Sequence, residues 1–203
     1  NFDYEREILR GRYRINGVNN VIRDTSIIAK DNTMALIPGA GINYSANERI
    51  NLFAGIHKGF APPRIKDAIT ATGVPYNLDA ELSTNYELGT RIKLNDYFNA
   101  ELTGFILDFK NQIIPVSNSS GNSNASGVVN GGQTLHKGIE AGFQIDFGKF
   151  AGLKNSYTFE SSITVQGSEY SNDRFISVNG STVNVKENKL PYAANLMIWN
   201  AAG

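Results

Sequence analysis

The chain has 203 residues, of which 41% are hydrophobic and 19% charged, and its 19 basic and 19 acidic residues give a formal net charge of +0. The balanced charge excludes a protein that attracts nucleic acid through its overall field, and the lack of cysteine excludes disulfide frameworks, cysteine zinc sites and thiol nucleophiles. No stretch approaches the ~18 consecutive apolar residues of a membrane helix. A transmembrane β-barrel is not excluded, because half of its strand residues face water and its composition is near average.

Apolar and polar residues alternate with a period of two along most of the chain, which predicts about eight antiparallel strands. In chain order, the predicted strands are Phe2–Glu7, Met34–Tyr44, Ile50–Gly59, Asn85–Leu94, Tyr97–Phe109, Leu135–Phe147, Tyr157–Gln166 and Leu190–Trp199. No helix is expected beyond a turn or so near Pro63–Ile69. The sequence therefore predicts an all-β fold.

The connections between the predicted strands alternate between short and long. The short ones are Ala46–Arg49, Asn95–Asp96 and Gly148–Asn155. The long ones, predicted to be structureless, are Ile8–Thr33, Phe60–Ala80, Gln112–Gly132 and Gly167–Lys189. An up-and-down meander with this alternation has all its long loops at one end, as in outer-membrane barrels with short periplasmic turns and long extracellular loops.

Two details favour a membrane sheet over a soluble antiparallel sheet, which would alternate in the same way. The strands run to roughly ten to thirteen residues, enough to cross a bilayer when tilted, whereas soluble strands average ~5–6. The charged residues on the apolar face lie at the long-loop ends, where a strand leaves hydrocarbon: Lys58, Asp108 and Lys137. The aromatic residues of that face lie at the short-turn ends, as in an interfacial girdle: Tyr44, Phe98, Phe147 and Tyr157.

Five segments, in this order, resemble the C-terminal half of the barrel of a TonB-dependent outer-membrane receptor. They are Leu36–Tyr44 (LIPGAGINY), Leu52–Arg64 (LFAGIHKGFAPPR), Glu81–Arg91 (ELSTNYELGTR), Lys137–Gly142 (KGIEAG) and Leu190–Ala193 (LPYA). The version Gly-Phe-Ala-Pro-Pro-Arg is most similar to the ferric-dicitrate branch of the family, whereas Ala194 stands where many members have a second proline. The chain starts without Met and ends after an apolar run, so residues 1–203 are expected to be part of such a barrel, without the plug domain and the remaining strands.

The resemblance implies a bacterial outer-membrane receptor that imports a ferric chelate, such as ferric citrate or a siderophore complex. It implies partners in TonB and its inner-membrane energy complex, which act through the plug, and in outer-membrane lipid and lipopolysaccharide. It implies no enzyme activity and no cofactor, since the iron chelate is cargo.

Ferric citrate and many siderophore complexes are anionic, and arginine makes bidentate contacts with carboxylates. The candidate ligand-binding residues in the loops and strand tops are Arg64, Lys66, Arg23 and Arg174. Arg64 is the strongest candidate, because two prolines just before it restrict the loop and limit the entropy lost on ordering. The competing interpretation is that these side chains are solvated or pair with lipopolysaccharide phosphates.

The polar face of the strands is expected to line the lumen, where charges of both signs pair with each other, hold a plug or line a channel. Its predicted residues are Glu87, Arg91, Lys93, Glu101, His136, Glu140, Asp146 and Glu160. His57 and His136 are the only histidines, too few to argue a metal site. Paired carboxylates can serve hydrolysis, but no Gly-x-Ser-x-Gly, Walker or zincin motif accompanies them.

Two other interpretations of the strand pattern stay open. A complete small eight-stranded barrel for adhesion or anchoring would have an even strand count and both termini on the short-turn side. A soluble β-sandwich or lectin-like binding module would show the same alternation without a membrane.

Overall fold

The computed structural model describes residues 2–16, 22–63, 78–117, 127–178, 180–191 and 193–203, with the backbone alone up to residue 35. The strands are β1 (Phe2–Asn16), β2 (Ile22–Leu36), β3 (Gly39–Ser45), β4 (Ile50–Ala61), β5 (Glu81–Asn95), β6 (Phe98–Lys110), β7 (Ile113–Pro115), β8 (Val128–Asn130), β9 (Thr134–Asp146), β10 (Thr158–Tyr170), β11 (Phe175–Val178), β12 (Ser181–Asn184) and β13 (Leu196–Ala202). A short helix, α1 (Phe147–Phe150), joins β9 to β10. Within the described ranges, no helix combines the length and apolar character that a membrane crossing needs.

The main sheet has seven strands in the order β13-β10-β9-β6-β5-β4-β3, and all neighbours are antiparallel. Each strand pairs with the sheet strands that precede and follow it along the chain, which confirms the predicted up-and-down meander. The outer strands, β3 and β13, do not pair with each other, so the sheet does not close into a small complete barrel. Within the described ranges, no second sheet packs face to face on it as in a β-sandwich.

The register divides the sheet into the two faces that the alternation predicts. Leu88 pairs with Ala54 on one side and Gly104 on the other, and its side chain is 69% exposed. Among the described residues, the one buried apolar side chain is Val185, in a loop. A sheet with a large uncovered apolar face and no apolar core behind it is expected where lipid tails cover that face.

The charges that interrupt the apolar face gather at the long-loop ends of the strands. Lys58 and Asp108 flank Thr84 in one row of the register. In β9, the Nζ of Lys137 lies 2.9 Å from Oε1 of Glu169 in β10. All three charges thus lie near the long-loop ends of their strands, as the sequence predicts.

The structure differs from the prediction in the first third of the chain. The stretch Ile8–Thr33 is not a structureless loop, because β1 and β2 pair along their whole length in a separate two-stranded sheet. The predicted strand Phe2–Glu7 belongs to this hairpin and not to the main sheet. Two adjacent apolar pairs, Ile8-Leu9 and Ile27-Ile28, break the period of two, so the alternation did not predict these strands. The backbone hydrogen bonds between β1 and β2 do not depend on that period.

A proline divides the predicted strand Met34–Tyr44. Strand β2 ends at Leu36 and β3 starts at Gly39, with Ile37 and Pro38 between them. Proline has no N–H to give to a ladder. Its carbonyl is still used, since the Lys58 amide donates to the Pro38 oxygen at 3.0 Å.

All described long connections lie at one end of the sheet, and two of them contain hairpins that the sequence analysis did not predict. Between β6 and β9, β7 pairs with β8, and between β10 and β13, β11 pairs with β12. At the opposite end, β3 joins β4 through Ala46–Arg49, where the Asn47 side-chain oxygen accepts from the amides of Arg49 and Ile50 at 2.8 and 2.9 Å. The predicted helical turn near Pro63–Ile69 falls largely outside the described residues.

Candidate functional site

Five of the predicted lumen-wall residues come together on the polar face of the sheet. They line an open cleft of about 530 Å³ with Phe53 and Trp199, and they are Glu87, Arg91, Glu101, Glu140 and Glu160. Strands β5, β6, β9 and β10 each contribute, because the antiparallel register keeps their polar positions in phase. The cleft thus combines four glutamates with one arginine.

Arg91 is held in a fixed position at the edge of this cleft. Its Nε lies 2.7 Å from Oε2 of Glu101, the residue directly opposite it on β6. Its guanidinium carbon lies 4.6 Å from the centre of the Phe53 ring on β4. The ion pair and the cation–π contact together orient the guanidinium group.

The other three glutamates of the cleft accept hydrogen bonds from neutral side chains. The Asn85 amide donates to Glu87, the Ser162 hydroxyl to Glu140 at 3.2 Å, and the Gln144 amide to Glu160 at 2.8 Å. No cation of the described side chains forms an ion pair with them. The cleft on the polar face of the sheet therefore carries net negative charge.

We expect the Arg91–Glu101 pair to contribute little to stability. Both side chains are about half exposed, and a double-mutant cycle of Arg91→Ala and Glu101→Ala should give a coupling energy of about 0.2–1 kcal/mol. Urea unfolding of the full-length protein in detergent measures it. A coupling well above this range would mean that water does not screen the pair, contrary to its exposure.

Lys93 and His136 lie outside the cleft. The Nζ of Lys93 is 3.4 Å from Oδ1 of Asp96 in the turn after β5. The His136 ring, near the long-loop end of β9, contacts the hydroxyls of Ser168 at 2.8 Å and of Thr134 at 3.2 Å through its two nitrogens. Both ring nitrogens of His136 thus contact buried hydroxyl groups. The described residues contain no group of three or more metal-ligating side chains.

Asp146 is also apart from the cleft, at the opposite end of β9. It is buried and caps α1, where its Oδ1 accepts from the Lys149 amide at 3.0 Å and its Oδ2 accepts from the Ser156 hydroxyl at 2.6 Å. The Tyr157 amide also donates to Oδ1, at 3.4 Å. The carboxylate thus ties the turn between β9 and β10 together.

Of the four candidate ligand-binding residues, Arg174 has a described side chain. It is buried at the long-loop end, where it lines a pocket of about 490 Å³ between the two loop hairpins. Its guanidinium carbon lies 4.7 Å from the centre of the Tyr170 ring, and Lys189 lines the same pocket. The apolar lining comes from Ile114, Ile176, Val185, Leu190 and Pro191.

The side chains of the other three candidates are not among those that the structure describes. Arg64 and Lys66 lie outside the described residues. Arg23 lies in β2, paired with Ile15 of β1, and its side chain is not described. Sequence reasoning missed Tyr170 and Lys189 as pocket residues, because a loop that folds back on itself leaves no periodic signal.

Sequence reasoning also missed two aromatic–glycine pairs on the polar face. Phe53 pairs with Gly89, and Phe105 pairs with Gly138, each across neighbouring strands. In both, the ring covers the glycine closely enough to leave no room for a Cβ. A large inward aromatic on a polar face is the signal that could have identified these pairs.

One family model and several solved structures of outer-membrane receptors match this chain. A family model described as TonB dependent receptor-like, beta-barrel matches residues 9–200. The solved structure of the ferric yersiniabactin uptake receptor FyuA from Yersinia pestis is similar with a TM-score of 0.65 and 15% identity, over 99% of this chain and 27% of that one. The siderophore receptor PirA from Pseudomonas aeruginosa is similar with a TM-score of 0.55 and 21% identity, over 82% of this chain and 32% of that one.

The ferric citrate transporter FecA is similar with a TM-score of 0.54 and 20% identity, over 90% of this chain and 24% of that one. The chain thus spans between 24% and 32% of the length of these three receptors. At such identities the likeness concerns the fold. Among curated proteins, none matches this chain significantly.

Proposed function

We propose, since this chain belongs to the TonB-dependent receptor-like β-barrel family, that it serves the TonB-dependent import of a ferric chelate. Members of the family are transporters of the bacterial outer membrane and not enzymes, so the sheet lies in that membrane with its short turns in the periplasm. Its apolar face contacts lipid, and its polar face lines the lumen.

The loop pocket around Arg174 is the observation that best supports an anionic cargo. A guanidinium group stacked on a tyrosine and a nearby lysine suit the carboxylates or other anionic groups of a ferric chelate, and the apolar lining suits its carbon skeleton. Ferric citrate is our first candidate, from the resemblance of residues 59–64 to the ferric-dicitrate branch. A siderophore complex is the alternative cargo.

The negative cleft supports a role in holding a plug. Three of its glutamates have no cationic partner among the described side chains. They can form ion pairs with arginine or lysine side chains of a domain inside the barrel. We propose that TonB and its inner-membrane energy complex act through such a plug and release the chelate inward. The barrel wall makes and breaks no bond of the cargo.

Uptake of radiolabelled iron tests the proposed function. The full-length receptor is expressed in a strain without its own ferric-chelate receptors, with and without TonB, and supplied with ferric citrate, a ferric hydroxamate or a ferric catecholate. We expect accumulation from one class of chelate, and only with TonB. Accumulation from none, or equal accumulation without TonB, would contradict the proposal.

Arg174→Gln should raise the half-saturation concentration for uptake about tenfold, because a hydrogen bond to a charged group is lost. The matched control is Lys186→Ala, which removes a cation of the same loop that pairs with Asp173 at 3.9 Å and does not line the pocket. Heat-modifiable gel migration verifies that both variants fold. Equal effects of the two substitutions would show that only the general charge of the loop matters.

A further inference from the structure

The segment that joins β9 to β10 is an unusually apolar periplasmic connection. We name residues 147–157 the interfacial turn. Phe150 is 63% exposed and Leu153 is 56% exposed, and Phe147 and Tyr157 at its two ends are also exposed. A large apolar side chain left in water forgoes the free energy of burial, so we expect lipid or protein to cover this surface.

The interfacial turn is held by its own hydrogen bonds. Asp146 binds the amides of Lys149 and Tyr157, the Ala151 amide donates to the Phe147 carbonyl at 3.0 Å, and the Leu153 amide donates to the Gly148 carbonyl at 2.8 Å. A Cβ on Gly148 would collide with the Asn155 carbonyl oxygen. The apolar side chains therefore project from a fixed backbone.

The interfacial turn continues the lipid-facing surface of the sheet. The Phe147 amide donates to the Tyr157 carbonyl at 2.8 Å, which extends the ladder just beyond Ile145 and Phe159, a pair on the lipid face. The Phe150 ring meets the Tyr97 ring of the neighbouring short turn edge-on, with 5.3 Å between centroids. The apolar surface thus runs from the hydrocarbon band past the end of the strands.

The charge of the interfacial turn is positive. It contains Lys149 and Lys154, both exposed, and no acidic residue. The adjacent Asp146 is buried, its carboxylate accepts the hydrogen bonds of the cap, and its Oδ2 lies 3.5 Å from Nζ of Lys149, whose side chain stays 60% exposed. Cations beside exposed aromatic and aliphatic side chains are the composition that binds the surface of an anionic bilayer.

We propose that the interfacial turn docks on the phospholipid head groups of the periplasmic leaflet. Phe150 and Leu153 enter the boundary between head groups and acyl chains, while Lys149 and Lys154 bind the phosphates of anionic phospholipids. The docking rests on the outer-membrane location of the sheet and does not depend on which chelate is carried. It fixes the height of β9 and β10 in the bilayer beside the aromatic girdle.

Lipid-quenching spectroscopy tests this docking on the full-length receptor. A bimane label is placed on Leu153→Cys in an otherwise cysteine-free protein, which is reconstituted into vesicles of phosphatidylcholine with or without phosphatidylglycerol. The control label is Glu48→Cys, an exposed position in the polar Ala46–Arg49 turn on the same side. Lipids with a nitroxide at the head group serve as quenchers.

We expect strong quenching at position 153, stronger with phosphatidylglycerol, and weak quenching at position 48. Lys149→Glu with Lys154→Glu should remove the dependence on phosphatidylglycerol, since each lysine at an anionic surface contributes about fivefold in surface affinity. Equal quenching at the two positions, or equal quenching in both vesicles, would overturn the proposal. Protection of position 153 by a periplasmic extract and not by lipid would also overturn it. The assay uses no chelate, so its failure is distinct from a failure of the uptake experiment.

Discussion

Gly138→Ala should destabilise the barrel by about 1–3 kcal/mol, the usual cost of overpacking a filled site. An added Cβ would lie 2.5 Å from the Val165 carbonyl oxygen, 2.8 Å from Cζ of Phe105 and 2.9 Å from Cβ of Gln166. Two of these atoms belong to strand β10 and one to β6, so no single side-chain rotation relieves all three contacts. The backbone of β9 has to move away from one neighbour.

Gly142→Ala is the matched control, with the same substitution on the same strand and the same face. Its Cβ would meet only the Ser161 carbonyl oxygen among described atoms, at 3.7 Å, an ordinary contact. We expect it to be neutral or slightly stabilising, because alanine loses less backbone entropy than glycine. Urea unfolding of the full-length protein in detergent, followed by tryptophan fluorescence, measures both. Equal midpoints for the two variants would contradict the predicted crowding at Gly138.

The Phe105–Gly138 pair illustrates how the polar wall is built. On an inward face without a packed core, a ring laid over a glycine of the next strand buries apolar area where no second layer exists. The Phe53–Gly89 pair repeats the arrangement, and there the Arg91 guanidinium group also lies over the ring. The polar face thus has two places, between its charged residues, where a ring packs on a glycine.

Period-two alternation sufficed to predict the central strands of the main sheet. From Asn85 to Gln166, each predicted strand matches an observed one within a few residues, and the faces are assigned correctly. This worked because lipid on one side and water on the other impose the period directly on every residue. The hairpin of β1 and β2 escaped prediction because the period fails there, as Ile8-Leu9 shows.

The arrangement of the candidate site residues was only partly predictable from sequence. The in-phase positions Glu87 and Glu140 follow from strand alternation, and the register places both on the cleft. The neighbourhood of Arg174 depends instead on how two loops fold against each other, which no local pattern encodes. Asp146 is a third case. The strand alternation places it on the polar face, but its carboxylate accepts hydrogen bonds from the adjacent turn.

Asp146→Ala should cost about 2–4 kcal/mol of stability, because it removes a helix N-cap and hydrogen bonds to a buried carboxylate. The substitution leaves the amides of Lys149 and Tyr157 and the Ser156 hydroxyl without their acceptor. Asp146→Asn should cost less, since one side-chain oxygen still accepts from the Lys149 amide. Urea unfolding gives the stability, and hydrogen exchange at the Lys149 and Tyr157 amides localises the change.

Lys149→Ala is the control that separates the cap from the ion pair. In detergent it removes the contact between Nζ of Lys149 and Oδ2 of Asp146, 3.5 Å apart with an exposed lysine, and should cost at most about 1 kcal/mol. If Asp146→Ala costs no more than this control, the carboxylate does not hold the turn. If it does hold the turn, Asp146→Ala should also lower the lipid quenching at position 153, because Leu153 then loses the fixed backbone from which it enters the bilayer.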